Sequence, residues 1–150
     1  MDLRFQVAGR IVRPVHDVFE AIVDPDQLSQ YFTTGGAKGR LETGATVTWD
    51  FADFPGAFPV EVVEVVPDRR IVLRWEANEE GVAPYHTTVT IELEPLGDDR
   101  TLVTIRETGW QPTQGGLDAS YGNCQGWTGM LIHLQAWLEH GLRLRDGFYV

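Results

Sequence analysis

Hydrophobic and polar residues alternate along much of the first 110 residues, and this period of two indicates strands with one buried face. A first strand is predicted over residues 3–13, and five more follow over residues 47–51, 60–66, 71–75, 87–94 and 103–107. Two Val-Val pairs in residues 60–66 blur which face is buried, as a β-bulge would. The short turns between consecutive strands predict an antiparallel sheet of about six strands.

Two short segments after the first strand have the 3.6-residue period of a helix. Pro14 suits the first turn of a helix, and Asp24-Pro25 ends it. The apolar face of this helix is Val15, Val18, Phe19 and Ile22. A second short helix is predicted over residues 26–32. The glycine-rich residues 33–44 are interpreted as a loop, and residues 53–59 as a turn.

The last third of the chain predicts one long amphipathic helix over residues 117–142. Leu131, Leu134 and Leu138 lie within about 40° of Trp127 around the helix axis. This stripe needs an apolar surface, and the predicted sheet is the candidate. We therefore expect a single α+β domain over residues 1–150, with a curved antiparallel sheet wrapped on the long helix. Such an architecture often encloses a cavity, so a small-molecule site is the first functional hypothesis.

The net charge of the chain limits the classes of partner that it is expected to bind. The chain has 22 acidic and 12 basic residues, a net charge of −10, and Lys38 is its one lysine. Nucleic acids and anionic membranes are bound through clustered Lys and Arg, so neither is an expected partner. The single cysteine, Cys124, permits no internal disulfide. With no signal peptide and no run of 18 apolar residues, we expect a cytoplasmic protein without a membrane span.

The order of one strand, two helices, five strands and a long helix resembles the helix-grip fold of the SRPBCC superfamily, which includes START-type lipid-binding domains and the birch-pollen-allergen group. The chain is most similar to the domain named for activators of the ninety-kilodalton heat-shock chaperone's ATPase. The similarity is carried by Pro14 to Phe19, Asp24 to Leu28, Val65 to Trp75, Thr101 to Trp110, and Gly126-Trp127 with the leucines that follow.

This resemblance implies several functions without selecting one. The superfamily includes carriers of hydrophobic ligands, polyketide cyclases and chaperone regulators. We expect the chain to bind a small hydrophobic or aromatic molecule between the sheet and the long helix. A cyclase- or hydratase-like enzyme and a regulator of a chaperone ATPase are the alternatives. No cofactor is predicted. The predicted ligand-binding residues are Tyr31, Phe32, Trp49, Trp75, Tyr85, Glu107, Trp110, Tyr121, Cys124 and Thr128.

Glu107 is the residue with the sharpest chemical meaning. Its position in the strand alternation places it on the inward face with Val103 and Ile105. A carboxylate there would be desolvated and its pKa raised, as in a general acid or a group that anchors a ligand. The other interpretation is that Glu107 lies at the strand end and pairs with an arginine. Tyr85 and Tyr121 are candidate proton donors beside it.

The histidines do not predict a metal site, because the sequence has no metal-binding motif. His133 and His140 lie away from the Trp127 stripe and are expected in solvent, and His86 is expected on the exposed face of its strand. Gly122, Gly126 and Gly129 lie opposite the Trp127 stripe, where a small-residue face would permit contact with a second subunit in a homodimer. Alternatively, the helix is irregular before Trp127, and the first two glycines belong to a loop.

Overall fold

The computed structural model describes residues 1–150 and contains seven strands and three helices. The seven strands form one antiparallel sheet in the order β1-β7-β6-β5-β4-β3-β2. The elements in chain order are β1 (Leu3–Ile11), α1 (Val15–Val23), α2 (Pro25–Tyr31), β2 (Gly36–Lys38), β3 (Thr46–Phe51), β4 (Phe54–Val66), β5 (Arg70–Glu76), β6 (His86–Gly97), β7 (Arg100–Trp110) and α3 (Gln114–His140). The predicted α+β architecture is thus confirmed.

The sheet has one buried face, as the alternation predicted. On β7, Val103, Ile105 and Glu107 are buried, while the residues between them are partly exposed. The register of β4 against β5 shifts between Val62 and Glu64, which confirms the bulge expected from the paired valines. His86 is exposed, as expected. No helix is both long and apolar enough to cross a membrane.

Two predicted connections contain strand. The segment interpreted as a loop holds the short strand β2, which pairs with β3. The segment interpreted as a turn is mostly strand, because β4 begins at Phe54 directly after β3 ends at Phe51. Proline and glycine are accepted in this segment because the paired positions there are few and the register is irregular between Trp49 and Phe51.

The long helix begins earlier than predicted and is regular through its glycines. Thr113 caps it by accepting a hydrogen bond from the Gly116 nitrogen at 3.1 Å. At Gly116 only glycine fits, since a Cβ would lie 2.0 Å from the Gln111 carbonyl oxygen. The interpretation of Gly122 and Gly126 as loop residues is therefore wrong, because both lie within α3.

The Trp127 stripe faces the sheet, as predicted. Trp127, Leu131 and Leu134 are buried, and Leu138 packs partly buried against the same core. Gly9 on β1 lies close to α3, since a Cβ on it would be 3.7 Å from the Leu131 Cβ, an ordinary van der Waals contact. The stripe thus covers the β1 edge of the sheet, and Trp75 of β5 reaches Trp127 from the other side.

Residues 141–150, which we call the C-terminal segment, fold back onto α3. Gly141 ends the helix with a left-handed φ of 66°. Phe148 and Tyr149 then pack on His133, with ring-centroid distances of 5.0 and 6.2 Å. The expectation that His133 lies in solvent is therefore wrong: only 1% of it is exposed. The helix pattern could not show this, because the covering residues come from outside the helix.

Candidate functional site

Glu107 lies at the centre of a hydrogen-bonded cage between the sheet and α3. Its side chain is fully buried. The Trp127 indole nitrogen donates to Oε1 at 2.9 Å, and the Trp75 indole nitrogen donates to Oε2 at 2.9 Å. The Thr87 hydroxyl donates to Oε2 at 2.7 Å, and the Asn123 amide lies 3.0 and 3.1 Å from the two oxygens. One carboxylate thereby joins β5, β6, β7 and α3.

Every side chain that donates to Glu107 in this cage is uncharged. The interpretation that Glu107 pairs with an arginine is therefore wrong. Burial raises the pKa of Glu107 above its ordinary value, and the hydrogen bonds from Thr87, Trp75, Trp127 and Asn123 oppose that rise. An ionised carboxylate offers about four lone-pair positions, and these donors occupy them. Glu107 therefore has no oxygen turned toward a substrate, and the geometry gives the enzyme alternative no support.

An aromatic cluster fills the space beside Glu107 in which a cavity was expected. We define it as Phe32, Trp49, Phe51, Phe58, Trp75 and Trp127. Trp127 is stacked on Phe32 with ring centroids 5.3 Å apart and lies 5.5 Å from Trp75. Trp75 in turn contacts Trp49 and Phe58, each at 5.9 Å. These rings contact one another, so this part of the interior is occupied by side chains.

The other predicted ligand-binding residues of the interior also make protein contacts. Tyr31 is fully buried and donates a hydrogen bond to the Ala21 carbonyl oxygen at 2.8 Å. Trp110 is 5% exposed and packs on Phe5 at 5.5 Å. Tyr85 donates to the Glu79 carboxylate near the start of α3. These three residues are structural in this arrangement.

Three of the predicted residues lie elsewhere, in a groove between α3 and the C-terminal segment. This groove, which we call the α3 groove, has a volume of about 410 Å³. Its lining is Tyr121, Cys124, Gln125, Thr128, Gly129, Ile132, Phe148 and Tyr149. Tyr121, Cys124 and Thr128 were predicted to line a cavity between the sheet and the long helix, and that position is wrong, because the wall opposite them is the C-terminal segment and not the sheet.

The C-terminal segment is anchored by Arg145, which the sequence analysis missed. Its guanidinium donates to the two Asp53 carboxylate oxygens at 2.9 and 3.1 Å. Only 6% of the Arg145 side chain and 11% of the Asp53 side chain are exposed. The guanidinium also lies 4.5 Å from the Phe51 ring centroid and 5.1 Å from that of Tyr149. No spacing in the sequence signals a pair 92 residues apart.

A second groove, of about 330 Å³, lies between α1 and the turn that joins β4 to β5. His16 Nδ1 is 2.8 Å from the Asp68 carboxylate, which raises the pKa of His16. The Arg40 guanidinium donates to both oxygens of Glu20 at 2.7 and 2.8 Å. Both pairs are exposed to solvent, and such pairs are ordinary surface contacts. Nowhere do three His, Cys, Asp or Glu side chains converge as metal ligands would.

Comparison with known proteins agrees with this fold. The sequence model of the family described as activator of Hsp90 ATPase homolog 1-like protein matches residues 13–139. No curated protein sequence gives a significant match. Among solved structures, protein SSP2350 from Staphylococcus saprophyticus is similar, with 25% identity and a TM-score of 0.77 over 95% of this chain and 96% of that chain.

Two further structures extend the comparison. DynU16, a protein of the dynemicin biosynthetic locus, has 29% identity and a TM-score of 0.75, over 92% of this chain but only 48% of the other. The Aha1 dimer from Colwellia psychrerythraea has 19% identity and a TM-score of 0.73, over 93% of this chain and 98% of that chain. The similarity to the second protein shows the fold alone.

Proposed function

The chain belongs to the family of activator of Hsp90 ATPase homolog 1-like proteins, and from this premise we propose that it binds a small apolar or aromatic molecule in the α3 groove. The observation that carries the proposal is the groove itself. Its volume of about 410 Å³ falls within the roughly 300–1,000 Å³ typical of small-molecule sites. The expected class of ligand is unchanged, but the expected place moves from the inner to the outer side of α3.

The chemistry of the groove suits such a ligand. Tyr121, Ile132 and Phe148 border it with 63%, 51% and 56% of their surfaces exposed. Three large apolar side chains that remain in water around one concavity are typical of a binding surface. Gln125 is the polar side chain on the same wall that would orient a ligand, since the Thr128 hydroxyl already donates to the Cys124 carbonyl oxygen at 2.8 Å.

The position of Cys124 makes the proposal testable. It is the only cysteine in the chain and is partly exposed on the groove wall. The experiment titrates the protein with Nile red, a neutral apolar dye, before and after alkylation with N-ethylmaleimide. We expect saturable binding that weakens by about tenfold or more after alkylation, a loss of about 1.4 kcal/mol or more. Bound dye should in turn slow the alkylation of Cys124.

The matched control is a Cys124→Ser variant, whose dye binding should be the same with and without maleimide. A second control places the thiol on the outer face of β6, as Cys124→Ser with Glu94→Cys, where alkylation should not change binding. Dye binding that is unaffected by the adduct at Cys124 would place the ligand elsewhere, and the aromatic cluster would be the first alternative. Absence of saturable binding would refute the proposal.

A second candidate function is regulation of a chaperone ATPase by direct contact, and the family description is the observation that favours it. The same apolar border would then receive a segment of the chaperone. A measurement of the ATPase rate of an Hsp90 chaperone with and without this protein tests it. A rate increase that is lost in Ile132→Asp but kept in Gln135→Asp, an exposed site one turn away, would favour this function over a small ligand.

A further inference from the structure

His133 is the one histidine enclosed by the fold. It is 1% exposed, and neither ring nitrogen has a hydrogen-bond partner in the protein. The Phe148 ring meets it edge to face at 5.0 Å, and the Tyr149 ring does so at 6.2 Å. Both rings belong to the C-terminal segment. An imidazole in these surroundings is accommodated in its neutral form, because a buried cation without an acceptor is costly.

The charged and titratable groups that face His133 act in opposite directions. Burial lowers the pKa of His133 below its ordinary value, the positive charge of Arg145 lowers it further, and the Asp53 carboxylate raises it. The Tyr149 hydroxyl is also buried without a partner, and its pKa is raised by burial, so it stays neutral at and below neutral pH. The net surroundings therefore disfavour an imidazolium while the segment is closed.

We propose that the C-terminal segment is an acid-released flap, closed over α3 while His133 is neutral and opened when His133 takes up a proton. Opening would bring the imidazole into water, where its cationic form is stable. It would also separate Arg145 from Asp53, and because this ion pair is buried and bidentate, its loss opposes opening even though both groups become hydrated in the open state. The pH-dependent part of the free energy of opening therefore comes from the protonation of one side chain, His133.

The direction and range of the pH effect follow from the two states. In the open state His133 has an ordinary pKa near 6.5, and in the closed state its pKa is lower. Closure is therefore fully favoured above about pH 6.5 and is weakened as the pH falls below that value. Between pH 7.5 and 5.0 the ratio of open to closed molecules should rise by at most about 30-fold, the limit for one proton.

The flap has a consequence for the α3 groove that rests on the proposed function. Phe148 and Tyr149 form one wall of this groove. If the groove holds an apolar ligand, opening of the segment removes that wall and releases the ligand below about pH 6.5. Opening of the segment itself does not depend on any ligand, so the two proposals are tested separately.

The experiment measures hydrogen–deuterium exchange of residues 141–150 in the ligand-free protein from pH 7.5 to 5.0. Rates are divided by the intrinsic exchange rate at each pH. We expect the corrected exchange to rise several-fold toward pH 5.0 in the wild type, up to the limit of about 30-fold for one proton. In His133→Phe, which keeps a ring but cannot titrate, the rise should be less than about threefold. An equal rise in both proteins would overturn the proposal.

A second measurement covers the case in which the phenylalanine variant loosens the segment at every pH. The Cε1 proton of His133 is titrated by NMR in the wild-type protein. Its midpoint should lie below about 6.5 and coincide with the midpoint of the exchange increase. If the segment opens at a pH where His133 is still neutral, or stays closed after His133 is protonated, the flap is not controlled by His133.

Discussion

Replacement of Glu107 by leucine should destabilise the protein by about 2–5 kcal/mol. The substitution leaves the fully buried Thr87 hydroxyl and Trp127 indole nitrogen without an acceptor, at about 1–3 kcal/mol each. Trp75 and Asn123 also lose their acceptor, but they are less buried and can regain water. Relief of the cost of burying a charge offsets part of the loss.

The Glu107→Gln variant should lose less stability, with a free energy of unfolding about 1–3 kcal/mol below that of the wild type. Its amide oxygen keeps one indole partner, and its amide nitrogen faces the other indole, which can only donate. Urea unfolding followed by tryptophan fluorescence and circular dichroism at pH 7 gives both values, provided that the slope m is unchanged. The matched controls are Glu94→Leu and Glu94→Gln on the exposed side of β6, with expected changes within about 0.5 kcal/mol.

The pH dependence supplies an independent check on the same residue. Because burial raises the pKa of Glu107, the folded state takes up a proton at higher pH than the unfolded chain, whose ordinary value is 4.5. The wild type therefore gains stability relative to Glu107→Gln as the pH falls from 7 toward 4.5. A difference in the free energy of unfolding between the two proteins that stays constant with pH would show that the pKa of Glu107 is not raised.

A Glu107→Leu protein as stable as the wild type would refute the reasoning. The free-energy cost of desolvating the carboxylate would then equal or exceed the stabilisation from its hydrogen bonds. Glu107 would in that case not be a stabilising contact between the sheet and α3, and its presence would require a functional explanation. The expected loss of several kcal/mol would instead identify Glu107 as the polar connection that positions α3 on β5, β6 and β7.

Two further predictions concern the C-terminal segment. In a double-mutant cycle by urea unfolding, Arg145→Ala and Asp53→Asn should couple by about 1–3 kcal/mol, because the pair is buried and bidentate. Gly129→Ala should speed hydrogen–deuterium exchange of residues 145–150, because its Cβ would lie 1.9 Å from the Tyr149 hydroxyl oxygen. Gly126→Ala has open space around it, so it should leave that exchange unchanged and stabilise α3 by up to about 1 kcal/mol.

The double-mutant cycle on Arg145 and Asp53 has a matched control in an exposed ion pair. Arg74 and Glu61 lie 3.3 Å apart on neighbouring strands, with 47% and 49% of their side chains exposed. Their coupling should be below about 1 kcal/mol. If the two cycles give equal coupling, the burial of the Arg145–Asp53 pair contributes nothing. If Gly129→Ala leaves the exchange of the segment unchanged, Tyr149 does not pack on α3 in solution.

The sequence alone was informative wherever a local period reports burial. The alternation of Val103, Ile105 and Glu107 placed the carboxylate on the inward face, and the Trp127 stripe placed α3 on the sheet. Both outcomes depend only on the geometry of single elements, since a strand turns a side chain by half a revolution and a helix by about 100°. The same patterns gave the order of the elements and the α+β architecture, which the resemblance to a known family then matched; the architecture is confirmed, with β2 as a strand that the pattern did not predict.

Errors arose where a residue's surroundings come from a distant part of the chain. His133 lies on the side of α3 that the helix pattern assigns to solvent, yet the C-terminal segment covers it. The start of α3 was placed too late because Gly115 and Gly116 favour a turn in isolation. The Thr113 cap and the close packing of Gly116 on Gln111 reverse that preference.

Sequence by itself therefore determined most of the elements, the face that each of these buries and the inward position of Glu107, because these follow from the stereochemistry of neighbouring residues. Tertiary structure alone decided what Glu107 meets, that indole rings fill the expected cavity, and that Arg145 and Asp53 anchor a segment over His133. Those contacts join residues separated by 15 to 95 positions in the chain. A local pattern carries no signal for such separations, because only packing of the whole fold brings these side chains together.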